Sequence, residues 1–297
     1  MMEGMLGEQL QNYGFFRIML ESLKVLSSHK NLFAKLAISL LLPFSLIFLT
    51  YIGLFYAIFD DIINNESSFT NKKLSLLLLA NLGCVSILLP LALFWIAAAI
   101  YAAVCAFSNK PITFRNIIDS IPKIWKKLAV TYLWIRLSIL LFGAVIVGLA
   151  YFASLGLRKQ FWGVFPYYII AFYALGAVYM IMLWGIASVV SVVEDVCGLK
   201  SIARAKKLLR EKMVVAGVYA VLLVAFVVGI EIMEWLVVVV PILNIGLRVL
   251  IGVVCIGLFL LALLVAPVFQ SLLYLVCISH HQQAMDLRLL SDHLEAY

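Results

Sequence analysis

The chain alternates long apolar runs with short stretches in which cations recur at helical spacing. Six apolar runs stand out, at about 33–59, 74–107, 128–157, 164–193, 213–235 and 249–279. Each holds at least the ~20 apolar residues that carry a helix across the hydrocarbon at 1.5 Å per residue. A membrane β-strand would take about ten residues of alternating polarity, which these unbroken runs are not. The pattern predicts an all-α integral membrane protein with six transmembrane helices. It divides the chain into a segment 1–32 with an amphipathic helix, one six-helix membrane domain 33–279, and a tail 280–297. Several runs exceed the bilayer, so tilt, kinks or helical extension beyond it are expected. Pro43, Pro90 and Pro267 lie inside runs and are expected to bend them.

Three basic amphipathic stretches precede three of the runs. The clearest spans 199–212, with Leu199, Ile202, Ala205, Leu208 and Leu209 on one face and Arg204, Lys206, Lys207 and Arg210 among the opposing cations. The second spans 113–127, with Phe114, Ile117, Ile118, Ile121 and Trp125 against Arg115, Asp119, Lys123, Lys126 and Lys127. Thr113 suits its N-cap, and Pro122 is expected to interrupt and kink it. The first sets Phe16, Met19, Leu20, Leu23 and Leu26 against Arg17, Glu21 and Lys24. Such helices are expected to lie in the membrane interface, apolar face in the acyl boundary and cations at anionic headgroups. The junctions Lys35-Leu36-Ala37-Ile38, Lys127-Leu128-Ala129-Val130 and Lys212-Met213-Val214-Val215 stand 92 and 85 residues apart. That spacing suggests three copies of one unit, an interfacial helix followed by a membrane hairpin.

Charge placement adds orientation. The flanks 1–32, 108–127, 194–212 and 280–297 hold fifteen Lys and Arg, and the opposite flanks hold five. This positive-inside bias predicts both termini in the cytosol. The net charge of +7 therefore serves membrane flanks, not nucleic acid. Hydrophobic residues make up 65% of the chain and charged ones 12%, about half of the ~25% usual in soluble domains. Residues 1–32 contain no apolar core of signal-peptide length, so the first span is expected to act as a signal anchor. Five cysteines fall in or beside the spans, which argues against a disulfide framework. Asn65-Glu66-Ser67 is a glycosylation sequon in a short loop on the far side.

Candidate chemistry is sparse. Arg136 lies nine residues past Lys127, about 13 Å into the third span. It either snorkels to the surface or faces the bundle interior toward Asn81, Gln270 or an anion. Glu231 and Glu234 share a face of the fifth span near the far interface. They fit either a cation entry or interfacial pairing with Arg248 or Arg158. His280 and His281 read as interfacial rather than metal-binding. No Gly-rich phosphate loop, nucleophile elbow or paired zinc motif is present in the sequence, so no cofactor or metal is expected.

The run Val193-Glu194-Asp195-Val196-Cys197-Gly198-Leu199-Lys200-Ser201-Ile202-Ala203-Arg204-Ala205 resembles a plant family of six-span membrane proteins. Its members often carry the label polyadenylate-binding-protein-binding protein. Ile121-Pro122-Lys123-Ile124-Trp125-Lys126-Lys127-Leu128-Ala129-Val130-Thr131, Glu21-Ser22-Leu23-Lys24 and Val276-Cys277-Ile278-Ser279-His280-His281 are similar to the same family. A more distant likeness is to the bacterial membrane domain found beside glycerophosphodiester phosphodiesterases. The resemblance implies a protein partner and supplies no catalytic residue. The sequence thus points to a non-enzymatic protein of an endomembrane (endoplasmic reticulum or Golgi) or the plasma membrane. It would organise lipid or bind a partner through Lys123, Trp125, Lys126, Lys127, Arg204, Lys206, Lys207 and Arg210. The alternatives are a small-solute or ion transporter built on Arg136, Glu231 and Glu234, and an intramembrane enzyme acting on a lipid-like substrate.

Overall fold

The computed structural model describes residues 14–48, 71–108, 113–156, 165–194, 196–210, 212–239 and 245–280. Among these residues every regular element is helical. We number them α1 (Phe15–Ser28), α2 (Lys30–Phe48), α3 (Asn71–Phe107) and α4 (Phe114–Gly156). The chain continues as α5 (Phe165–Val193), α6 (Leu199–Leu209), α7 (Met213–Val239) and α8 (Ile245–His280). Six of them, α2 to α5, α7 and α8, are long and apolar enough to cross a membrane. Asn65, within residues 49–70, the segments 157–164 and 240–244, the first thirteen residues and the tail from 281 lie outside the described residues.

One expectation changes at α4. The stretch 113–127 is no separate interfacial helix, because α4 runs unbroken from Phe114 through Pro122 into the third span. Pro122 removes one N–H and costs about 3 kcal/mol in a helix interior. Ile117, Ile121, Ile124 and Leu128 continue one buried face across it. At roughly 1.5–3 kcal/mol for each buried side chain, that face outweighs the proline.

The bundle has two unlike ends. At one end the packing is close: Ala97 to Ile100 and Ala102 to Val104 of α3 are fully buried, as are Ala187, Val189 and Val190 of α5 and Val268, Phe269, Tyr274 and Val276 of α8. The alanines let neighbouring backbones approach closely. At the other end large apolar side chains stand exposed, among them Leu140, Leu175, Leu250 and Leu261. Helices α3 and α5 are central, with 61% of their most apolar stretches buried against 17–22% for the other four.

Prolines in the spans are accommodated individually. Pro267 has no N–H to offer the carbonyl of Leu263, four residues earlier in α8. The indole Nε1 of Trp95 donates to that carbonyl at 3.2 Å, tying α3 to α8. In α2 the turn Ala37–Leu41 widens to a π-helix just ahead of Pro43. Tyr219 of α7 stacks on Phe269 of α8 at 4.1 Å.

The exposed surface changes character at three points along the bundle. On α2 it passes from exposed Lys35 to Ile38, 66% exposed. On α4 it passes from exposed Lys126 to Val130 and Leu133, the latter 69% exposed. Between α6 and α7 it passes from exposed Arg210 to Val214, 79% exposed. These changes fall at or within a few residues of the junctions Lys35, Lys127 and Lys212 of the sequence, although Lys127 and Lys212 themselves are only partly exposed.

Candidate functional site

The clearest built feature lies where α5 turns into α6. Glu194 caps the end of α5, its N–H donating to the Val190 carbonyl at 2.8 Å. Its carboxylate accepts from the Tyr274 hydroxyl of α8 at 3.0 Å and pairs with Arg204 Nε of α6 at 3.4 Å. Glu194 is 15% and Arg204 25% exposed at the side chain, and Tyr274 is fully buried. A carboxylate so enclosed requires partners, because a lone buried charge is costly.

Four residues later the chain reverses. Gly198 adopts φ +67° and ψ −136°, a conformation that is essentially reserved for glycine. Its N–H donates to Thr131 Oγ1 of α4 at 2.9 Å. Thr131 Oγ1 also lies 2.8 Å from Ser191 Oγ of α5 and 3.2 Å from Ser201 Oγ of α6. The Ser201 hydroxyl donates to the Gly198 carbonyl at 2.8 Å. Thr131 and Ser201 are fully buried and Ser191 nearly so. One hydroxyl cluster thus joins three helices and closes the turn.

The turn folds α6 back along α5. Ser201, Ala205, Leu208 and Leu209 form its buried face, while Lys200, Lys206, Lys207 and Arg210 are exposed. Of the apolar face expected to enter lipid, Ala205, Leu208 and Leu209 are instead buried against protein and Ile202 is partly buried, while Leu199 is 54% exposed. The physical reason is the row of small residues, Ser201 and Ala205, which lets α6 lie close against its neighbours. At its end, Leu209 and Arg210 meet Tyr179 and Leu183, about 15–20 Å back from the end of α5. Together with Ala203, Lys206, Lys207 and Met213 they line a groove of about 520 Å³.

The other predicted residues fall as follows. Arg136 is exposed, and its guanidinium lies over the Tyr132 ring, 4.9 Å from the centroid. Its Nε donates to the Tyr132 hydroxyl, one turn nearer the closely packed end. Lys123 and Lys126 are exposed on α4, and Lys127 is partly buried. The Trp125 ring packs on Phe94 of α3 at 5.4 Å. Arg204 joins Glu194 in the node instead of standing with Lys206, Lys207 and Arg210 on the surface. Glu231 and Glu234 lie on α7, with side chains outside the described residues, as are those of Arg248, Asn81 and His280. Cys105 and Cys277 are buried and Cys197 is exposed. Sequence reasoning passed over Thr131, Ser191, Ser201 and Tyr274. A Ser or Thr in an apolar run hides its hydroxyl readily by donating to a carbonyl one turn back, so the run alone gave no sign of a cluster.

The chain matches no curated protein and no solved structure. It belongs to the family described as Domain of unknown function (DUF8558), which it matches over residues 4–297.

Proposed function

We propose that this is a non-enzymatic, multi-pass membrane protein that gathers anionic lipid at its basic cytosolic face. The observation that carries the reading is the triple change of surface, from cation to exposed apolar residue, at Lys35/Ile38, Lys126/Val130 and Arg210/Val214. A helix leaving water for hydrocarbon requires that change, and cations at the crossing favour the negatively charged leaflet. In this reading the bilayer surrounds the end with exposed leucines and valines. From Val130 to Gly156, α4 offers roughly 40 Å, ample for a ~30 Å hydrocarbon core.

The closely packed end then forms a helical cap in the cytosol, with both termini on that side. The upper parts of α3, α4, α5 and α8 build this cap together with α6, and their apolar character serves protein packing, not lipid. Arg136 sits just inside the crossing and reaches back toward it over Tyr132. The exposed row Phe16, Leu20 and Leu23 on α1 adds a second lipid-facing strip. The three junctions read as three copies of a unit in which a basic stretch feeds a membrane hairpin.

Lipid composition tests this directly. Nanodiscs assembled on the full chain from equal parts phosphatidylcholine and phosphatidylserine will enrich phosphatidylserine relative to empty discs. The enrichment will weaken as ionic strength rises, because exposed cations are screened. Equal composition with and without protein would sink the reading.

A further inference from the structure

We infer that α1 dips into the cytosolic leaflet by its N-terminal end, with Phe16 and Leu20 among phospholipid acyl chains and Ser27 and Ser28 in water, an inference that rests on the membrane placement above. The exposed row of α1 changes along its length. Phe16, 80% exposed, and Leu20, 67% exposed, are followed at one-turn intervals by Leu23 and then Ser27, both exposed. A helix lying flat in an interface keeps its apolar stripe from end to end. This row is apolar at one end and polar at the other, as a helix inclined across the boundary between hydrocarbon and water requires. The ion pair of Lys24 with Glu21, at 3.7 Å, lies in the polar half.

Packing sets the slope. Ile18 and Ser22 are buried, and α1 packs on α7 and α8. At its N-terminal end the Phe15 ring lies 5.7 Å from that of Phe269 of α8, which stacks on Tyr219 of α7. Tyr219 stands five residues past Val214, roughly 7 Å to the apolar side of the surface change on α7. At its other end α1 leads through His29 into α2, where Lys30 stands eight residues before Ile38. That places Lys30 roughly 12 Å to the cytosolic side of the surface change on α2. The two offsets together match the ~20 Å length of a helix of 14 residues, so α1 runs steeply between the two levels. The surface it joins at the lower level is itself open and apolar: Val214, Val218 and Leu222 of α7 are all exposed. Acyl chains therefore continue from α7 onto Phe16 and Leu20. Arg17, exposed beside Phe16, has an aliphatic stem long enough to carry its guanidinium toward the headgroups.

Depth-dependent fluorescence quenching reads this slope. The full chain, in a cysteine-free background, carries one environment-sensitive fluorophore at Phe16→Cys, Leu23→Cys or Ser27→Cys, all exposed positions. It is placed in phosphatidylcholine nanodiscs that contain a nitroxide lipid, labelled either on the headgroup or on the acyl chain. The label at 16 should be quenched mainly by the acyl-chain nitroxide, the label at 23 mainly by the headgroup nitroxide, and the label at 27 only weakly by either. The depths at 16 and 23 should differ by about 7–10 Å, the reach of seven helical residues on an incline. Equal depths at all three positions would show a helix lying flat and overturn the inference. A label at 16 that neither nitroxide quenches, while one at Leu140→Cys is quenched by the acyl-chain probe, would show water or a second protein on this row and also overturn it, leaving the membrane placement intact. Absence of quenching at Leu140→Cys as well would remove the placement and the inference together. Phosphatidylcholine carries no net charge, so the outcome is independent of any preference for anionic lipid.

Discussion

Gly198 is where the chain passes from α5 to α6, and three constraints meet there. Its φ of +67° excludes ordinary L side chains, its N–H is committed to Thr131, and a Cβ would lie 3.2 Å from the Trp134 ring. Gly198→Ala should therefore cost about 1–3 kcal/mol, read as a lowered thermal midpoint in detergent. An unchanged midpoint would mean that the turn relaxes without loss. Only part of this was legible beforehand. A Gly between an apolar run and a basic helix suggests a turn, but the Thr131 hydroxyl comes from 67 positions away. Likewise Arg204 looks in sequence like one more surface cation of its row. Its pairing depends on Glu194, ten residues earlier, being turned back beside it.

At the scale of the element, hydrophobic pattern located the helices well and their environments poorly. The predicted runs 74–107, 164–193 and 249–279 become helices Asn71–Phe107, Phe165–Val193 and Ile245–His280. The pattern could not show that the last three turns of α3 are surrounded by protein, because lipid and a packed core select the same side chains. Nor could it show that α4 absorbs the basic stretch before it. Pro267 illustrates the difference. The sequence shows a bend-forming residue, whereas the tertiary structure supplies the Trp95 indole for the carbonyl that the proline leaves without a donor. Trp95→Phe keeps an aromatic ring but removes the N–H and part of the buried indole, so it should destabilise the α3–α8 contact by at least about 1–3 kcal/mol. Thermal unfolding compared with the unaltered chain measures the loss, and equal stability would show that the carbonyl finds another donor.

For the whole molecule, the two-ended bundle makes a positional prediction. On the proposed placement, Asp119, exposed on α4 above the surface change, would lie in the aqueous cap, and Leu140, 70% exposed below it, would lie in the bilayer. In a cysteine-free background, Asp119→Cys should react with a membrane-impermeant maleimide applied from the cytosolic side, while Leu140→Cys should not. Rapid labelling of both, in intact membranes, would contradict the placement.

The sequence by itself determined that the chain is helical, that six helices are apolar enough to cross a membrane, and where three cation-to-apolar junctions fall. These follow from local composition and from the fixed rise of a helix. Only the tertiary structure decided which apolar residues pack against protein, that Arg204 pairs with Glu194, and which residues line the groove beside Tyr179 and Leu183. Those outcomes depend on side chains brought together from distant helices, and a one-dimensional pattern carries no record of such neighbours.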